Sequence, residues 1–119
     1  SSHHGDIEEA ILEFNKICQY RVSQIAYFLD RLEETVDGES NLLDQSMIIW
    51  GSPMGDANLH NHRRCPLVVM GGANGQLEGG AHMKAPDGTP MANVFVSLLN
   101  KLGHRDLTGF GDSDGVFSV

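Results

Sequence analysis

Met47-Ile48-Ile49-Trp50-Gly51-Ser52-Pro53-Met54-Gly55-Asp56-Ala57-Asn58-Leu59-His60-Asn61-His62-Arg63-Arg64-Cys65-Pro66-Leu67-Val68-Val69-Met70-Gly71-Gly72 is the stretch on which the fold is decided. It opens and closes with apolar runs, Met47–Trp50 and Pro66–Met70, and neither run alternates with polar residues. That pattern predicts strands buried on both faces, as in a mostly parallel sheet covered by helices. Gly71-Gly72 ends the second run.

Upstream, Ile7, Ile11, Phe14, Cys18, Ile25, Phe28 and Leu32 recur at steps of three and four, with Arg21 in one slot. Ile17, Val22, Leu29 and Val36 widen the stripe. The spacing predicts one long helix over residues 6–36 with a broad buried face, capped by Asp6. Asp37-Gly38-Glu39-Ser40 closes it, and residues 41–45 have room for one further turn. Downstream, a turn is expected at Asn74-Gly75 and a short extended piece over residues 79–83. Thr89-Pro90 pairs a capping residue with proline at a first helical position, so a second helix follows, with Val94, Phe95, Leu98, Leu99 and Leu102 as its inner face. Gly103 ends it. The Gly- and Asp-rich tail, 107–119, has space for one edge strand.

The expectation is therefore α/β: a partial, mostly parallel sheet with flanking helices. Residues 1–119 read as a single segment. Two doubly buried strands and one long helix are too few parts to cover both faces of such a sheet, so the inventory predicts a piece of a larger domain. Its partners would be the remainder of a parent chain or other subunits.

Composition narrows the function. With 8 Lys and Arg against 16 Asp and Glu, the formal charge is −8. A nucleic-acid partner needs a concentrated basic surface, so none is expected. No apolar run approaches the ~20 residues that span a bilayer, and no membrane span is expected. The two cysteines have no zinc-pair spacing. Cys18 lies on the helix stripe and reads as a buried thiol.

Chemistry concentrates between the two apolar runs. His60-Asn61-His62, with Asp56 before it, lies beyond the carboxyl end of the first predicted strand, where open α/β sheets gather ligands. Two imidazoles and a carboxylate at this spacing can ligate zinc or another divalent metal, and equally can bond only to their own loop. His3, His4 and His82 are further candidates for the same pocket; Ser1–His4 taken alone is also what an affinity tag leaves. Three other patterns fail. Gly51–Gly55 lacks a serine midway between its glycines, Gly71–Gly80 lacks the Lys-Ser/Thr of a phosphate loop, and Asp112-Ser113-Asp114-Gly115 lacks the later ligands of a calcium loop.

Taken together, Ser2-His3-His4, Tyr20-Arg21, Ala26-Tyr27, Leu42-Leu43-Asp44, the run Gly51–His62, Gly79-Gly80-Ala81-His82, Gly88–Asn93 and Phe110–Ser113 resemble a family of large exported bacterial proteins named for an HxxSHH signature. Matches spread over nearly the whole chain weigh against a tag. That family is distantly similar to the alkaline phosphatase and sulfatase superfamily. The resemblance implies an alkaline phosphatase-like fold, an exported location (periplasmic or cell surface), and a metal-dependent hydrolase of phosphate or sulfate esters. The superfamily's metal-binding Asp-His-Gly would fall on Pro53-Met54-Gly55, and neither Pro53 nor Met54 can replace its oxygen and nitrogen ligands. Any metal would then rest on His60, His62 and Asp56, with His3, His4 and His82 behind them. The same departure suits the alternative, an exported binding or structural module without catalysis.

Overall fold

A computed structural model describes residues 3–119. Ser2, the first residue of the signature match, lies outside the described residues. Along the chain run α1 (Glu8–Glu34), β1 (Val36–Asp37), β2 (Ser40–Asn41), α2 (Leu42–Gln45), β3 (Ile48–Gly51), β4 (Leu67–Met70), a single 3-10 turn (Ala73–Gly75) and α3 (Ala92–Lys101). The strands form two separate two-stranded sheets, β1-β2 and β3-β4. Two compact units result: residues up to Leu43 with Trp50–Val68, and Asp44–Ile49 with Val69–Val119.

The expected partial, mostly parallel sheet of alkaline phosphatase type is not formed. Both sheets are antiparallel, so the described residues form a small mixed α/β structure with two hairpins and three helices. Ser52 N–H donates to Pro66 O at 3.1 Å and Ala73 N–H to Ser46 O at 2.9 Å, which extends the β3-β4 pairing at both ends in antiparallel register. The cause lies in the connection. Parallel neighbours need a crossover, usually a helix, whereas residues 52–66 contain no helix and fold back on themselves. Double burial fails with the same framework. In β3 only Ile48 is half-buried, and Ile49 and Trp50 face solvent; in β4 Val68 is exposed.

α1 begins two residues later than its periodicity suggests. Gly5 and Asp6 both take left-handed φ, and Ile7 N–H donates to His4 O at 3.0 Å, so Asp6 is used in a tight turn. Ile7 occupies the cap position without a side-chain bond. At the other end Thr35 caps the helix, and Gly38, at φ 61°, turns the chain into the β1-β2 hairpin, a role that suits glycine at the first central position. The predicted stripe is present but shallow. Ile11, Phe14, Cys18, Ile25 and Leu32 are half-buried, while Ile7, Val22 and Phe28 are exposed, and no residue of α1 is buried. Among the described residues no helix is long and apolar enough to cross a membrane.

All buried residues among those described belong to the second unit: Ala73, Ala92, Asn93, Val96, Ser97 and Leu98. Pro90 starts the turn that leads into α3, since Asn93 N–H bonds Pro90 O. Thr89 instead donates its hydroxyl to Pro86 O at 2.8 Å. Gly103, at φ 103°, closes α3 through paired bonds from Gly103 N–H to Asn100 O and from His104 N–H to Leu99 O, the Schellman arrangement.

Of the expected inner face of α3, Leu98 is buried, Val94, Phe95 and Leu99 are half-buried and Leu102 is exposed; burial extends instead to Ala92, Val96 and two polar residues, Asn93 and Ser97. Their partners explain this. Asn93 exchanges two side-chain bonds with Asp114, Phe117 N–H donates to Asn93 O, and Val119 N–H donates to Ser97 Oγ. The tail therefore lies on α3, held by buried polar groups and not as the edge strand anticipated. No strand forms over residues 79–83 either.

Candidate metal-binding loop

Residues 52–66 return on themselves through a small bridge between Asp56 and Asn61. Gly55 and Asp56 N–H both donate to Asn61 O, and Asn61 N–H donates to Asp56 O at 2.9 Å. Gly55 is demanded by close approach: a Cβ there would collide with the Arg63 carbonyl oxygen. Asp56 Oδ1 accepts N–H bonds from Asn58 at 2.9 Å and Leu59 at 3.1 Å. This is an Asx-type turn, the local bonding for which aspartate is favoured in loops. The carboxylate predicted as a ligand thus holds the loop's own backbone.

The tip bears His60 at φ 52°, a left-handed conformation uncommon for a residue with a Cβ. Its Nε2 lies 2.9 Å from Nε2 of His3, with ring centroids 4.5 Å apart and tilted by 46°. Both rings are exposed. A second tie runs beside them, from Gly5 N–H to Asn58 Oδ1 at 3.0 Å. Residues 57 positions apart are thereby joined at the loop tip.

His62 Nδ1 lies 2.8 Å from Pro53 O. A carbonyl only accepts, so Nδ1 carries the proton and the neutral ring's lone pair sits on Nε2. The thiol of Cys65 donates to the same oxygen at 3.1 Å. His4 is arranged the other way: its Nδ1 accepts Asp6 N–H at 3.1 Å, and the ring stands 6.5 Å from Phe14. His82 is exposed in the irregular 76–91 segment of the second unit.

Of the six candidates, then, His3 and His60 meet. His62 and Asp56 are built into the loop's own bonding, His4 into the turn before α1, and His82 belongs to the other unit. Among the described residues no three His, Cys, Asp or Glu side chains are grouped as a metal cage requires.

The His3–His60 pair fits a cation as a two-ligand chelate. Tetrahedral zinc at ~2.0–2.1 Å from each nitrogen sets the two nitrogens roughly 3.3 Å apart, so the rings would part by only a few tenths of an ångström. His62 has the outer bonding typical of a metal-ligating histidine, with one ring N–H on a backbone carbonyl and the other nitrogen as acceptor. Sequence reasoning missed the shared Pro53 carbonyl and the role of Asn58. The Asp-x-Asn spacing at 56–58 was the available signal for the turn; nothing local signals the Pro53 contacts.

No family model matches the chain, and no curated protein or solved structure matches it either.

Proposed function

We propose that this chain is a metal-binding module in which His3 and His60 hold a divalent transition metal, zinc first, through their Nε2 atoms. The observation that carries this reading is the 2.9 Å approach of those two nitrogens from distant parts of the sequence. Imidazole is a favoured ligand of zinc, copper and nickel; of the two Nε2 atoms one donates the shared proton, and metal binding through both needs that ring to carry its proton on Nδ1 and the rings to part slightly. His62, two residues from His60, presents the correct tautomer for a third bond. Kinship with the exported HxxSHH proteins, and with it a periplasmic or surface location, belongs to the same proposal and rests on the motif matches alone.

Hydrolysis of phosphate or sulfate esters is the second reading. Its support is exposure: two protein ligands leave coordination positions for water and substrate, as catalytic sites do and structural sites do not. A bound metal supplies an activated water in such a site; His3 and His60 would hold and orient it. Pro53 and Met54 do not replace the oxygen and nitrogen ligands of the related enzymes, which is why binding stands before catalysis.

Titration of the full chain with Co²⁺, followed by its visible absorption and by displacement with Zn²⁺, tests the proposal. His60→Ala should weaken binding by roughly tenfold or more, the loss expected when one of two chelating ligands goes. Equal affinity in the wild-type chain and in both His3→Ala and His60→Ala would overturn it. If binding holds, turnover of a phenyl phosphate or phenyl sulfate ester by the loaded protein separates the two readings.

A further inference from the structure

The second unit contains a surface cavity of about 300 Å³ whose lining includes Gln45, Asn74, Gln76, Lys101 and Arg105. The chain has twice as many acidic as basic residues, yet two of its eight Lys and Arg residues line this cavity and no carboxylate does. The carboxamides of Asn74 and Gln76 line it as well and can donate further bonds. From this we infer that the cavity binds a small tetrahedral oxyanion, a phosphate or sulfate group, free or as a monoester.

The two cations are differently prepared. Lys101, in the last turn of α3, is half-buried and reaches Gln76 O with Nζ at 3.1 Å. That carbonyl fixes the ammonium at the cavity wall while leaving it two further donors. Arg105 follows the Gly103 turn and is exposed. Among the described residues neither is paired with a carboxylate. A guanidinium fork takes two oxygens of an oxyanion and an ammonium serves as a point charge on a third. The negative end of α3 opposes an anion here, but its closing carbonyls are already bonded by Gly103 and His104 N–H.

The lining also includes a strained turn. Ala73 (φ 45°) and Asn74 (φ 55°) are both left-handed, and Ala73 is only 5% exposed. Left-handed backbone at a buried alanine persists only where its surroundings impose it, and such residues cluster at ligand clamps and active sites. Here Ala73 N–H bonds Ser46 O, and Gly75 and Leu77 N–H bond Gly72 O. These bonds hold the Asn74 and Gln76 positions at the cavity. Leu102, 53% exposed, also lines it and offers an apolar surface for the organic part of an ester.

The site shares no residue with the histidine loop, so it stands or falls separately. The test is an amide NMR titration of the full chain with inorganic phosphate near pH 7, at ionic strength held constant with sodium chloride. Saturable shifts are expected at Asn74, Gln76 and Arg105. Lys101→Gln and Arg105→Gln should each weaken binding roughly tenfold, with other resonances in place, and the double variant should abolish it. His60→Ala should leave it unchanged. Phenyl phosphate in the second arm distinguishes the source, since tighter binding than inorganic phosphate marks an ester site and equal binding a free-anion site. Absence of saturable shifts up to ~100 mM phosphate, or shifts that survive in the double variant, would overturn the inference.

Discussion

Replacing Asn93 by alanine should release the C-terminal tail from α3. Asn93 is 6% exposed, and its side chain makes two bonds to Asp114: Nδ2 donates to Oδ1 at 2.8 Å, and Oδ1 accepts the Asp114 N–H at 3.1 Å. A neutral hydrogen bond contributes ~1 kcal/mol net and one to a carboxylate ~1.5 kcal/mol or somewhat more. Asp114 is exposed, so the lower end applies to the charged bond. Alanine is the better helix former and returns roughly 0.5 kcal/mol. The expected net loss is about 2 kcal/mol, equivalent to roughly a thirtyfold change in an opening equilibrium. Hydrogen exchange at the Phe117 and Val119 amides reads it directly, because their acceptors are Asn93 O and Ser97 Oγ. Protection there should fall by about that factor while the amides of α1 are unaffected. The variant Asn93→Asp sharpens the reasoning. It keeps the acceptor for Asp114 N–H but sets two carboxylate oxygens against each other, and Asp114→Asn should then restore a donor and recover protection. Unchanged protection in Asn93→Ala, or no recovery in the double variant, would refute the account of how the tail is held.

Gly55→Ala should open the histidine loop, since the added Cβ collides with the Arg63 carbonyl oxygen; faster exchange at Asn61 and weaker Co²⁺ binding are expected, and normal values for both would count against that geometry. Leu98→Ala, at a side chain 2% exposed, should cost about 2–4 kcal/mol in thermal or urea unfolding, whereas Leu12→Ala, 55% exposed on α1, should cost less than about 0.5 kcal/mol. Comparable losses at the two sites would mean that α1 is buried more deeply in solution than its exposure indicates.

Local chemistry was legible wherever one short segment settles the matter. The long helix follows from the recurrence of Ile11, Phe14, Cys18, Ile25 and Leu32, and those residues do form its half-buried stripe. The single turn after it, the turn at Asn74-Gly75 and the end of α3 at Gly103 follow from residues that favour those conformations. Residues 52–66 also read correctly as a loop bearing its histidines. Asp6 and Thr89 show the limit of such reading. Both are good capping residues, and each instead serves the turn beside it, because the backbone enters its helix at a different residue.

The apolar character of Met47–Trp50 and Pro66–Met70 identified two strands, but hydrophobicity has no direction along the chain. Pairing sense was decided by how residues 52–66 return, and that turns on bonds between Asp56 and Asn61 and on the close pass of Gly55 under Arg63. Burial was likewise beyond reach, since an apolar run states what a strand can tolerate on its faces and not what is set against them. The histidine site divides in the same way. Composition and spacing determined that residues 51–65 hold imidazoles and a carboxylate. Only the tertiary structure decided which of them meet, because the contact between His3 and His60 depends on a turn at Gly5-Asp6, a left-handed tip residue and a bond from Gly5 to Asn58, none of which is local to both rings.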